Sequence, residues 1–155
     1  MWRTPVTRSS YPPIEEMLPH RDPFLFIQSV LSDSEDMVVC GAMIGHGHYM
    51  THDISAPPVL GIEMGAQAAG VLAALQNIRH ESVSTAPRVG YLVGIRQARF
   101  HAETLPVGQM LRVEALFQGA SGPLSTFEIR VKIEGEEDPL VEARISTWAE
   151  QDQST

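Results

Sequence analysis

Two polar side chains stand one helical turn apart in a largely apolar stretch of this 155-residue chain. They are Glu63 and Gln67, within SAPPVLGIEMGAQAAGVLAALQNI (Ser55 to Ile78). Residues four apart share a helix face, so the carboxylate and the amide are neighbours there. A carboxylate in apolar surroundings costs several kcal/mol unless it is paired or neutralised. Apolar helices rarely keep one without use; the bland alternative is a carboxylate held by a nearby hydroxyl or backbone group. Just upstream, the aperiodic stretch GHGHYMTHDISA holds three of the six histidines, His46, His48 and His52. It reads as a loop, and loops carry chemistry more often than strands do. One reading of His46-x-His48-x3-His52 is three nitrogens for Zn or Fe. Histidines in a glycine-containing loop are more often unligated, and no second His or Cys cluster supports them, so neither metal nor cofactor is expected.

The stretch that carries Glu63 is the one the chain is organised around. It reads as a single helix, apolar nearly all round, which predicts burial on all sides. Its small residues (Gly61, Gly65, Ala66, Ala68, Ala69, Gly70, Ala73, Ala74) suit close approach by a surrounding sheet or a second copy. Pro57 and Pro58 mark its start. Glu63, Gln67 and Gln76 interrupt the run, so it falls short of a transmembrane span.

Elsewhere the pattern is of strands. Ile14 to Leu18 makes one helical turn, and Phe24–Leu31 and Met37–Ile44 read as a hairpin around the acidic turn SDSED. Past the helix, Val89–Glu103 is a long strand with a bulge near Gly94. Gln109–Gln118, Ser125–Glu134 and Leu140–Trp148 follow with short turns between them. One sheet with one apolar helix makes an α+β domain in which the sheet curls around the helix. Residues 1–155 form one domain, with 1–13 and 149–155 as loosely held ends. A formal charge of −8 argues against nucleic-acid binding. The single cysteine, Cys40, rules out an internal disulfide and fits a reducing compartment. With no apolar run at the N-terminus, the cytoplasm is the expected location.

LPHRDPFLFIQSVL (Leu18 to Leu31), Glu63-x-x-Ala66-Gln67, YLVGIRQARF (Tyr91 to Phe100) and the Pro106-x-Gly108 turn together resemble the (3R)-hydroxyacyl-[acyl-carrier-protein] dehydratases. Each motif alone is weak; four in the family's order and spacing are specific. The form PxxGIExxAQ and the strand GYLVGIR are similar to a divergent branch found with aryl-polyene biosynthesis. The resemblance implies a hot-dog fold and a side-by-side dimer. It also implies dehydration of a 3-hydroxyacyl thioester of acyl carrier protein or coenzyme A. In that family a loop histidine removes the proton next to the carbonyl, a helix carboxylate from the other protomer helps the hydroxyl leave, and backbone N–H groups at the helix start stabilise the enolate. Glu63 matches the acid position, where burial is expected to raise its pKa as suits a proton donor, and Gln67 is either its orienter or a plain packing amide.

Two positions depart from that pattern. Counted back from Glu63 without a gap, the family's histidine falls on Tyr49, with His48 adjacent and His52 a weaker candidate base. Pro58 replaces the glycine whose N–H faces the thioester oxygen, and proline has no N–H. The donors left at that helix end are those of Val59, Leu60 and Gly61. These departures motivate two alternatives to a plain dehydratase: a non-catalytic hot-dog subunit that pairs with an active relative, and a hot-dog thioesterase that uses Glu63 alone. Arg79, Arg88, Arg96 and Arg99 would form a docking patch for phosphopantetheine or an acidic carrier if clustered at the tunnel mouth.

Overall fold

The computed structural model describes Trp2, residues 10–80 and residues 90–150. The elements are α1 (Ile14–Met17), β1 (Ile27–Asp33), β2 (Met37–Met43), β3 (Ser55–Ala56), α2 (Leu60–Arg79), β4 (Gly90–Phe100), β5 (Leu105–Pro106), β6 (Met110–Ser121), β7 (Leu124–Ile133) and β8 (Pro139–Ala149). Six strands form one antiparallel sheet in the order β1-β2-β6-β7-β8-β4. The sheet curls around α2, which packs on β6, β7, β2 and β8. This is the α+β hot-dog architecture. The expected hairpin is β1–β2, and the expected bulge falls between Leu92 and Gly94.

The helix is held close to the sheet because it is slim on one side. A methyl group added at Gly61 would meet Val141 Cγ2 at 2.7 Å, and one at Gly65 would meet Ile129 Cδ1 at 2.7 Å. Gly70 lies equally close to Leu18, which follows α1. Met64, Ala68, Val71, Leu72 and Leu75 then join Val113, Ile129, Val131, Val141 and Ile145 in one buried core. Each large side chain there contributes about 1.5–3 kcal/mol by leaving water. Gly65→Ala is expected to destabilise the fold by about 1–3 kcal/mol through overpacking. Gly47→Ala, where nothing lies within 4 Å, should leave the urea midpoint nearly unchanged.

Three expectations are revised. The helix starts at Leu60, because Ser55–Ala56 is drawn off as β3 onto Leu105–Pro106; the residue before a proline favours extended backbone, and Ala56 precedes Pro57. The helix is not covered on all sides by its own chain. Glu63, Ala66, Gly70, Ala73, Ala74 and Asn77 form a stripe that floors an open groove. The ends are also better tied than expected at the residues described. Tyr11 donates to Asp33, Trp2 lies against Arg130, and Ala149 pairs with Gly90. The rest of the expected loose ends, Met1, residues 3–9 and residues 151–155, and the first residue of the expected long strand, Val89, lie outside the described residues.

Candidate active site

Gln67 is the joint between α2 and the segment that leads into β1. It is fully buried. Its Oε1 accepts from the Phe26 and Ile27 N–H groups at 3.0 and 3.4 Å. Its Nε2 donates to the Phe24 carbonyl at 2.6 Å and to Glu63 Oε1 at 3.0 Å. Only one orientation of the amide satisfies two donors on one side and two acceptors on the other. The i, i+4 spacing thus does place Gln67 on Glu63.

A second group reaches the same oxygen. His20 Nε2 lies 3.4 Å from Glu63 Oε1. His20 sits between α1 and β1, 43 positions before Glu63 in the chain. The arrangement is held by Arg21, which donates to the carbonyls of Leu18 (2.9 Å), His20 (2.7 Å) and Glu15 (3.1 Å). The sequence reading passed over His20 as a functional residue, although it stands inside the LPHR motif. Periodicity cannot reveal a pairing between distant segments.

Glu63 and His20 open into a groove of about 580 Å³ that runs along the small-residue stripe of α2. α1, the β6–β7 turn and the ends of β4 and β8 form its walls. The Glu63 side chain is 40% exposed, so the carboxylate is accessible from the groove. Burial pushes its carboxyl up. The hydrogen bonds from His20 and Gln67, with the charge on His20, more than offset this and hold it below the usual carboxylate value. The sequence expectation of a raised value and a ready proton donor is therefore corrected for the single chain. Glu63 is ionised at neutral pH.

His48 is occupied elsewhere. Its Nδ1 accepts from the Gly45 N–H at 2.6 Å, and its Nε2 lies 2.8 Å from the Leu25 carbonyl. That pattern fixes the neutral tautomer with hydrogen on Nε2, leaving no lone pair for a substrate. The ring lies against Phe26, with centroids 4.8 Å apart, and Asp22 Oδ1 is 3.7 Å from Nε2. His48 is thus a clamp that closes the loop onto the segment leading into β1. Tyr49 points outward, 54% exposed, with its ring against Phe24. Within one chain neither His48 nor Tyr49 bonds to Glu63. His46 and His52 are exposed, and no group of three potential ligands is placed to hold a metal among the described residues.

At the start of α2 the supply of donors is smaller than the sequence suggested. Leu60 N–H already donates to the Pro57 carbonyl at 3.1 Å, and Gly61 N–H to that of Pro58 at 2.9 Å. Of the three expected donors, only Val59 makes no such bond among the described residues. Among the described residues the arginine patch is not assembled at the groove either. Arg79 is paired with buried Asp33 and donates to the Ser34 carbonyl. Arg99 lines a shallow depression on the outer face of the sheet, with Arg130 and Arg144, away from the groove. Arg88 lies outside the described residues. Burial pushes the Cys40 thiol far up, so it is inert.

A curled antiparallel sheet of this strand order around one long helix, with a carboxylate at the mouth of a groove, defines a hot-dog protein. The chain belongs to the ApeP-like dehydratase family: that family's model, described as ApeP dehydratase, matches residues 12–155. It is 30% identical over 139 residues to the 3-hydroxyacyl-[acyl-carrier-protein] dehydratase FabZ of Listeria welshimeri, covering 85% of this chain and 90% of that protein. Among solved structures it is similar to the dehydratase heterocomplex ApeI:P from Xenorhabdus doucetiae, with TM-score 0.80, 24% identity and coverage of 92% and 94% of the two chains. A homologue of HP0420 from Helicobacter felis matches at TM-score 0.63 and 13% identity over 93% of each chain. At these identities the structural likenesses establish the fold alone. No helix among the described residues is long and apolar enough to cross a membrane.

Proposed function

We propose that this protein is one subunit of a dehydratase that converts 3-hydroxyacyl thioesters of acyl carrier protein or coenzyme A to trans-2-enoyl thioesters. Its place is the cytoplasm, in fatty-acid or aryl-polyene-type synthesis. The observation that carries this reading is Glu63, oriented by a buried amide at the mouth of an apolar groove that accommodates an acyl chain. In the reaction a carboxylate and a histidine between them move a proton from C2 to the hydroxyl leaving C3. The C2–H and C3–O bonds break, the C2=C3 bond forms and water departs.

The chain holds the carboxylate but is poor in the other parts. His48 has no lone pair to spare, Tyr49 offers a phenol in place of an imidazole, and Leu60 and Gly61 have their N–H groups engaged. A related hot-dog subunit that supplies its own histidine and glycine would complete the site. β4 offers the place for it: an edge strand paired, among the described residues, only with β8, with Tyr91, Val93, Ile95 and Phe100 exposed. Such an edge adds a partner strand readily. The ApeI:P likeness supports pairing with an unlike subunit; a second copy of this chain gives a homodimer with the same geometry.

The test is turnover of 3-hydroxyacyl carrier protein by the pure chain, alone and with such a subunit, in wild type, His48→Ala and Tyr49→Phe. Weak or no turnover alone and strong turnover with the partner are expected. Robust turnover alone that collapses in His48→Ala would restore an ordinary dehydratase. Release of free acid instead of enoyl product would point to a thioesterase.

A further inference from the structure

We propose that His20 is a positioning residue for Glu63, which selects the carboxylate oxygen that exchanges protons with the substrate. The inference rests on the dehydratase reading for its catalytic consequence, but the pair itself is a matter of geometry. His20 Nε2 and Gln67 Nε2 converge on one atom, Glu63 Oε1, at 3.4 and 3.0 Å. Among the described residues no donor engages Oε2. A glutamate with a free terminal torsion presents either oxygen; the Gln67 hydrogen bond and the His20 ring beside it hold Oε1 and leave Oε2 to the groove.

The surroundings of His20 fit this task. Its Nδ1 is enclosed and has no hydrogen-bond partner among the described residues. A bare lone pair there costs less than a bare N–H, so the neutral ring carries its hydrogen on Nε2, facing Glu63. The backbone around it is fastened by the three Arg21 bonds, and Leu18 is buried against Gly70 of α2. LPHR is on this reading a bracket that brings one imidazole to one carboxylate. The other ionisable groups on the groove are Glu16 on α1 and Glu150 after β8; the Arg21 guanidinium faces carbonyls. Among the described residues His20 is therefore the one basic side chain on the groove that meets Glu63.

The pair is tested without any assay of turnover by following the Glu63 carboxyl signal in the full chain, labelled with carbon-13 glutamate, across an acid titration. In His20→Phe the Glu63 midpoint is expected to move to higher pH. In His20→Gln, which keeps an N–H donor but no charge, it is expected to move part of the way. With the activating subunit present, kcat of His20→Phe should fall by about 10- to 100-fold, the scale of a misplaced catalytic group. KM should change little, and His20→Gln should recover part of the loss. If Phe at this position prevents folding, the His20→Gln titration decides. A Glu63 midpoint that is the same in wild type and in the folded variants overturns the proposal. A shifted midpoint together with full turnover by Glu63→Gln would sink the dehydratase reading while leaving the pair standing.

Discussion

Gln67→Leu is expected to cost the fold about 3–6 kcal/mol, although the new side chain is apolar and of similar size. The substitution removes the partner of three backbone groups at once: the buried Phe26 and Ile27 N–H groups and the half-buried Phe24 carbonyl. Each buried group left unsatisfied costs about 1–3 kcal/mol. The gain from one more buried leucine is about 1.5–3 kcal/mol, and the rigid core gives it little room to be realised. Against a total stability of about 5–15 kcal/mol for a single domain, the loss is large. It should appear as a lower urea midpoint with an unchanged slope, since the surface exposed on unfolding stays the same. A loss under about 1 kcal/mol would mean that water takes over the amide's bonds, which the enclosed site opposes. The same variant frees Glu63 from one of its two donors, so stability and site geometry fall together.

Gln67 also shows how far the sequence reaches. Its nearness to Glu63 follows from helical spacing, and the whole helix with its sheet follows from periods of 3.6 and 2. The bonds of Gln67 to Phe24, Phe26 and Ile27 join residues some 40 positions apart, and no period records such contacts. His20 escaped for the same reason. The sign of the Glu63 shift is not legible in the sequence, where burial alone argues for a raised value; the His20 and Gln67 side chains that outweigh burial come from the fold and from the helix face together. At the helix start, Pro57 and Pro58 read as a helix opening. Their carbonyls, which take up the Leu60 and Gly61 N–H groups, become visible only with the turn they form. His48 sits next to the family's histidine position, and sequence has no means of telling a base from a loop clamp. Its two bonds to backbone make that distinction.

Glu63→Gln should abolish turnover by the two-subunit enzyme, by about 10²- to 10⁴-fold in kcat, the range for losing a positioned proton-transfer group. The amide has the shape of the carboxylate and can still lie against Gln67, but it cannot hold and return a proton. The fold should hardly notice. The side chain is 40% exposed, and a substitution at such a position changes stability by about 0.5 kcal/mol or less. Because the folded carboxyl lies below its unfolded value, what little stability it lends is present above the unfolded pKa and disappears as pH falls through the folded one. Any gap in stability between wild type and variant therefore closes in acid. In the pairing we propose, a carboxylate supplied by the partner subunit would face Tyr49 and the clamped His48 of this chain, where no base is available. Only the site built from Glu63 and the partner's histidine can turn over, and one substitution in this chain silences the whole assembly. If half or more of the activity survives Glu63→Gln, the partner works without this carboxylate, and this chain serves only as its wall and its edge strand.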